Sequence, residues 1–494
     1  MDKSIELEEL AGSLLEYDIQ GDPFLAITGI EYDSRKVKPG NLFVAMRGMK
    51  TDGHEYVGDA IKRGAVGLVV EEDVGERSVS RIRVPNARKA LAGLAARFYN
   101  NPADKLKIIG VTGTNGKTTT CHMIAEILKA SGKKPGLMGT LYIKVGDETF
   151  PTNITTPESL DIHRYLARMV ESGVETAVME VSSHALYFGR VDGIKFQGAI
   201  FTNLSQDHLD FHGDMDSYFE QKKKLFGMVK PAERGGFALL NSDDAMTPRI
   251  IKSLTVPFRS YGIYRHPDIR AGDIQTDITG TSFVAESKEW DVPVHTKFMG
   301  IFNVYNALAS VGAGLGLGIP PAFISKGLRD LPGVRGRFES VDKGQQFGVI
   351  VDYAHTPDGL RNVLKSAKTI TKNRLILVFG CGGDRDRTKR SIMGKVAAEY
   401  ADYIIITSDN PRTEDPMSII SDIRSGVEKG NMDYIIDPDR KSAIIEAVEE
   451  AKPGDVVMIA GKGHEDYQIL GDKVIHFDDV EVAGEALGMK KKYD

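Results

Sequence analysis

The chain lacks most of what marks secreted, membrane-spanning or nucleic-acid-binding proteins. Its 494 residues contain two cysteines, Cys121 and Cys381, far apart and in no metal-type spacing. That argues against a disulfide framework or a cysteine zinc site and fits a reducing cytoplasm. A net charge of −6 gives no overall electrostatic reason to bind nucleic acid or an anionic membrane. The N-terminus, MDKSIELEEL, is acidic and has no apolar core of signal-peptide type. Residues 300 to 325 carry no charge, but Asn303, Asn306, several glycines and Pro320-Pro321 interrupt them, so they read as a packed helix and a turn rather than a membrane span. There is no internal repeat and no low-complexity tract.

The composition, 41% hydrophobic and 27% charged, is ordinary for a globular protein. At roughly 150 residues per domain the length suggests about three domains. Residues 110 to 120, GVTGTNGKTTT, resemble a phosphate-binding loop, although Val111 stands where the usual pattern has its first glycine. The chemistry survives this change. Gly113 and Gly116 let backbone N–H groups crowd a phosphate, Lys117 supplies a charge, and the Thr118 hydroxyl can bind Mg²⁺. KLKIIGV before the loop reads as a buried strand, and Met123, Ile124, Ile127 and Leu128 after it recur at helical spacing. Such an arrangement aims a helix N-terminus at an anion.

The expected architecture is α/β in three domains. Residues 1–103 form a small N-terminal α/β domain, and 104–335 a central phosphate-loop ATPase-like domain with a mostly parallel sheet and a less regular insert around 255 to 297. After the hinge LPGVRGRFE, residues 336–494 form a Rossmann-like α/β domain. Glu180 ends an apolar strand in MEVSSH, where open sheets place ligands. Residues 203 to 226 pack aspartates, histidines and three successive lysines together. Four polar loops, DYAHTPDGL, GCGGDRDRTKR, DNPRTEDP and AGKGHEDYQ, each follow a strand of the last domain and point to one shared crevice.

Taken in order, GTNGKTTT, EVSSHAL with GRV, FTNLSQDHLDFHG, GRFE, DYAHTPD, GCGGDRDRTKR, DNPR and AGKGHE resemble the Mur ligases, and within them the branch of UDP-N-acetylmuramoyl-tripeptide synthetases. The resemblance spans essentially the whole chain. It implies an ADP-forming ligase of cytoplasmic peptidoglycan precursor synthesis that adds an amino acid to UDP-MurNAc-L-Ala-D-Glu through an acyl phosphate. The partners are then small molecules, with no nucleic acid and no membrane insertion, and the chain acts as a monomer.

The resemblance also implies roles for residues. Gly113, Thr114, Asn115, Gly116, Lys117, Thr118 and Thr119 hold ATP, joined by Asn306, Arg337, Asp352 and His355. Thr118 and Glu180 take one Mg²⁺. His208 takes a second, helped by a lysine carbamylated by CO₂. That lysine is one of Lys222, Lys223 and Lys224, and the family spacing favours Lys222. Lys117, Glu180, His208 and Lys222 are the catalytic set. Ser34, Thr155, Thr156, Ser182, Arg190 and Lys222 contact the UDP-sugar peptide. Arg385, Asp409, Asn410, Pro411, Arg412, Gly461 and Glu465 bind the incoming amino acid. The DNPR form of the loop is associated with members adding meso-diaminopimelate, whose distal carboxylate an arginine fork can bind in bidentate fashion.

Two stretches depart from the family pattern. Phe188 stands where some members have a substrate-binding glutamine, and Met49-Lys50-Thr51 replaces a His-Gln-Ala run. The competing readings are an L-lysine-adding synthetase, a folylpolyglutamate-type ligase and a non-catalytic nucleotide-binding protein.

Overall fold

The computed structural model describes residues 4–48, 51–76, 78–277, 279–428 and 433–490. Met49 and Lys50 therefore lie outside the described residues.

Chain order separates three main sheets. The first runs Asp18–Gln20, Ser80–Arg83, Ala65–Val70, Asn41–Val44, Gly29–Glu31, parallel except for Asp18–Gln20. The second has eleven strands built around Lys107–Thr112, which is flanked by Thr176–Glu180 and Gly198–Phe201. Its middle is parallel and both of its edges are antiparallel. The third orders Glu339–Ser340, Gly348–Asp352, Val456–Ala460, Leu375–Phe379, Tyr403–Ile406 and Tyr434–Ile436, parallel but for the first.

Central strands are apolar along their middles because helices cover both faces. Along Lys107–Thr112, Ile109 and Val111 enter one core with Ile124 and Val178, while Ile108 enters the opposite core with Met179 and Ala199. The charge-free stretch folds as the helix Ile301–Gly316, a turn and the helix Pro321–Asp330. Among the described residues no helix is long and apolar enough to cross a membrane. The insert is more regular than its sequence suggests. Ile269–Asp277, Gly280–Ser287 and Asp291–Thr296 form an antiparallel meander that extends the central sheet, with an irregular register between Gly272 and Gln275.

Register brings the functional loops together. Glu180 pairs with Val111 and Phe201 with Thr112, so three strands deliver their loops to one edge of the central sheet. In the third sheet, Asp352 and Phe379 both pair with Ala460, and Phe379 also pairs with Ile406. Its four polar loops therefore emerge side by side, at the carboxyl ends where ligands bind such sheets.

Candidate active site

The phosphate loop links Lys107–Thr112 to the helix Lys117–Ala130, which starts from Gly116 in left-handed backbone, φ +87°. Gly113 has φ +150°, and a Cβ there would lie 1.8 Å from Thr202 Oγ1, so only glycine fits. The neighbouring strand's exit braces this loop. Asn203 O accepts from Thr114 N at 2.9 Å, Asn203 Oδ1 from Asn115 N at 2.9 Å, and Thr202 Oγ1 donates to Asn115 O at 2.6 Å.

Lys117 Nζ lies 2.9 Å from Gly113 O and 2.8 Å from Thr114 O, folded against its own loop. Behind it Glu180 is 0% exposed. Its Oε2 accepts from Thr118 Oγ1 at 2.9 Å and Thr140 Oγ1 at 3.1 Å, and its Oε1 from Thr140 N at 2.8 Å. A hydroxyl and a carboxylate that converge beside a phosphate cradle are the oxygen donors Mg²⁺ prefers. Asn306, on Ile301–Gly316, accepts from Thr120 Oγ1 at 3.4 Å and so packs against the same helix. Thr119 is buried on that helix's first turn.

Of the three candidate lysines, Lys222 is 2% exposed, Lys223 half-buried and Lys224 exposed. Lys222 Nζ reaches Gly113 O at 2.8 Å and sits over the Tyr218 ring. Burial, and then the charge of Lys117, hold its amine well below the usual lysine range. His208 stands at the N-terminus of Leu209–His212 with φ +53°, its ring edge-on to His184 at 4.8 Å and its Nε2 3.4 Å from Asp207 Oδ2. Burial lowers its pKa too. Among the described residues no three His, Cys, Asp or Glu side chains gather as a metal site. A carbamate on Lys222 would add anionic oxygens to this group, which an amine lacks.

The expected sugar-peptide residues of the central sheet cluster on the far side of Glu180. Thr156 Oγ1 donates to Glu180 O at 2.8 Å and accepts from Ser182 N at 3.1 Å, Arg190 Nη1 donates to Thr156 O at 3.1 Å, and Thr155 Oγ1 lies 3.2 Å from Thr140 Oγ1. Ser34 opens the short 3-10 helix Ser34–Lys36 that follows the first-sheet strand Gly29–Glu31. That region is tied to the central helix Ser159–Glu171 by Tyr32 on Asp161 at 2.6 Å, Arg164 on Glu31 at 3.1 Å and the Arg88–Glu158 ion pair. Phe188 lies under the guanidinium groups of Arg88 and Arg190, 4.9 and 5.6 Å from its centroid. It is a stacking surface where a glutamine would offer hydrogen bonds.

Beyond the hinge, Asp352 is buried and accepts from Phe338 N at 2.7 Å and Ala354 N at 2.8 Å. Burial lifts its carboxyl to about 6 against the pull of Arg337, which lies over the Tyr353 ring. His355 Nδ1 contacts Tyr353 O, and Lys389 Nζ donates to His355 O at 2.8 Å. Gly336, φ +64°, presses on the AGKGHE loop: a Cβ at 336 would lie 2.1 Å from His464 N.

The last three loops interlock. Asn410 Nδ2 donates to Glu465 Oε2 at 2.8 Å, Lys462 Nζ reaches both residues, and Arg412 Nη1 donates to Gly383 O at 2.7 Å beside Arg385. Pro411 and Asp409 are buried in the same loop, and Gly461 follows the neighbouring strand end, φ +119°. Burial raises the pKa of Glu465. Beneath the loops, Arg440 and Asp479 are both 0% exposed and pair through two 2.7 Å bonds, while Arg440 also donates to Ser408 O and Ala460 O. Arg390 likewise grips Glu414, which holds Asp384 N at 2.6 Å and is itself drawn down to about 2 by that guanidinium.

Comparison with known proteins decides the family. Residues 26–99 match "Mur ligase family, catalytic domain", 111–314 "Mur ligase middle domain" and 336–463 "Mur ligase, glutamate ligase domain". The chain is 48% identical over 482 residues to the UDP-N-acetylmuramoyl-L-alanyl-D-glutamate--2,6-diaminopimelate ligase of Syntrophomonas wolfei, covering 97% of this chain and 98% of that one. The chain belongs to the Mur ligase family.

The protein of the same name from Bacillus cereus is 48% identical, with 98% of both chains covered. A solved structure of a ligase with this name aligns at TM-score 0.71 and 32% identity, over 99% of this Mur ligase and all of the other chain. Several site residues escaped the sequence reading. Thr140 and Thr202 follow strand ends, so the strand-end rule that picked out Glu180 could have found them. Arg390 and Gln468 close two of the polar loops already singled out, but their partners Glu414 and Asp409 lie on another loop; Arg440 carries no such signal.

Proposed function

We propose that this Mur ligase joins meso-diaminopimelate to UDP-MurNAc-L-Ala-D-Glu, with ATP phosphorylating the D-Glu carboxylate and the amine displacing phosphate from the acyl phosphate. A carboxylate is a poor acyl donor, and phosphorylation supplies the leaving group. Lys117 and the loop amides bind and neutralise the ATP phosphates, so rate comes from positioning and charge neutralisation. Thr118 and Glu180 hold one Mg²⁺, and His208 with the carbamate of Lys222 holds another. When bound, these ions offset charge developing on the transferred phosphoryl group. Asn306, Arg337, Asp352 and His355 complete the ATP site from both sides of the hinge, and closure excludes water from a hydrolysable intermediate.

Ser34, Thr155, Thr156, Ser182 and Arg190 bind the sugar peptide. Residues 1–103, 104–335 and 336–494 are the UDP-sugar, ATP and amino-acid domains. Work on cytoplasmic precursors by a monomer needs no membrane contact.

The observation that carries the reading is the convergence of Arg385, Arg412, Asn410 and Glu465 at the carboxyl edge of the third sheet. Two arginines suit the distal carboxylate of diaminopimelate and Glu465 its distal ammonium. L-lysine would turn an ammonium toward Arg412. The test is phosphate release with ATP, Mg²⁺ and UDP-MurNAc-L-Ala-D-Glu, comparing meso-diaminopimelate with L-lysine and confirming product mass. Turnover with diaminopimelate alone is expected, and equal or better turnover with lysine defeats the assignment.

A further inference from the structure

The loop carrying Arg412 is held from behind by an element outside the third sheet. Tyr467–Leu470 and Lys473–His476 form a separate two-stranded hairpin whose second strand is exposed along its length. Its first strand reaches the loop at three points, and the turn after it adds a fourth. Gln468 Nε2 donates to Asp409 O at 2.8 Å, and Ile469 N donates to Asn410 Oδ1 at 3.0 Å. Arg412 N donates to Ile469 O at 3.1 Å, and Gly471 N to Arg412 O at 2.8 Å. Arg412 thus joins the hairpin as a parallel bridge opposite Leu470.

It does so with φ +54°, a left-handed backbone that an arginine keeps only where its surroundings over-determine it. That backbone sets where the side chain leaves the chain, and the guanidinium ends on Gly383 O in the Arg385 loop. Gln468 is 6% exposed and its amide is the side-chain donor to Asp409 O, at the start of the loop. Removing the donor leaves a buried carbonyl unsatisfied and frees the first residue of the segment that aims Arg412.

We propose that Gln468 is a positioning residue for Arg412, and that the hairpin it anchors sets the preference for an amino acid with a distal carboxylate. The proposal rests on the reading of this chain as a diaminopimelate-adding ligase. Gln468→Met keeps the length of the side chain and removes the donor. KM is measured for each of the three substrates in the full-length enzyme, with kcat, the diaminopimelate-to-lysine selectivity and the melting midpoint alongside. The expected result is a KM for meso-diaminopimelate raised roughly tenfold, the scale of one buried unsatisfied group. Selectivity falls with it, while the KM for ATP and kcat hold. Should Gln468→Met not fold, Gln468→Asn, one methylene short of Asp409 O, goes through the same assays.

An unchanged KM for diaminopimelate overturns the proposal. So does a common rise for all three substrates with a lowered melting midpoint, which marks a folding residue. An unsubstituted enzyme that does not turn over diaminopimelate at all removes instead the reading of function on which the proposal rests.

Discussion

Lys117 and Lys222 donate to one atom: their side-chain nitrogens reach the carbonyl oxygen of Gly113 at 2.9 and 2.8 Å. Two buried amines this close disfavour two positive charges, and Lys222 is the one driven well below the normal lysine range, by burial first and Lys117 second. An unprotonated amine can attack CO₂, losing a proton to leave a carbamate. Protein equilibrated with ¹³C-bicarbonate should therefore show a carbamate carbon resonance that Lys222→Arg lacks. The same variant should lose about 10²–10³ in kcat, the scale of one preorganised electrostatic group. A fully active enzyme with no such resonance would rule the carbamate out.

Thr140 fixes both oxygens of Glu180. Thr140→Val removes the hydroxyl contact and leaves the backbone one. The Mg²⁺ concentration for half-maximal ATP binding, followed by calorimetry, should rise about tenfold, in line with other supporting partners of metal ligands. Unaltered Mg²⁺ dependence would place Thr140 outside the metal site.

Arg412→Ala should cost about a hundredfold or more in kcat/KM for meso-diaminopimelate, the worth of two charged hydrogen bonds. Acyl-phosphate formation from ATP and the dipeptide substrate should persist, since the proposal gives that step to Lys117 and Glu180. Positional isotope exchange in ATP separates the two. Diaminopimelate kinetics unchanged by the substitution would sink the specificity argument.

Removing one partner of the Arg440–Asp479 pair strands a buried charge. Arg440→Met should lower unfolding free energy by about 3–5 kcal/mol, and the double variant Arg440→Met/Asp479→Leu should recover much of that. Urea melts of the three proteins check it. A double variant no better than the single one would mean that the bonds to Ser408 O and Ala460 O, not the pair, carry the effect.

Asp352 sets a pH dependence of stability. An ordinary aspartate titrates near 3.8, and burial lifts this one to about 6. Between these values the folded protein holds a proton the unfolded chain has lost, so this contribution is complete below about pH 4 and fades as pH rises through about 6. Asp352→Asn should flatten that fall, a difference of about 3 kcal/mol between the two curves across the window. Parallel curves from pH 4 to 7 would refute it.

Some of this was legible in the residues. Phosphate chemistry demands glycines and a lysine in one contiguous stretch, so GTNGKTTT declares itself, and four polar loops after four apolar strands pointed to a shared crevice. Lys222 was separable from Lys223 and Lys224 only by resemblance, and burial in three dimensions is what distinguishes them physically. The meander over residues 269 to 296 was obscured because irregular pairing between Gly272 and Gln275 breaks the period-2 pattern that DVPVHT shows. The partners of Arg440 and Gln468 could not be read, because each acts on a carbonyl of a loop distant in sequence.

The close fit of Gly336 against His464 leaves no room for the linker to slide over the AGKGHE loop. Arg337, one residue further on, and Glu465, one residue beyond the contact, are thereby parts of a single lever. Any motion of Arg337 therefore carries Glu465 with it, because a side-chain carbon at 336 has no room beside His464 N.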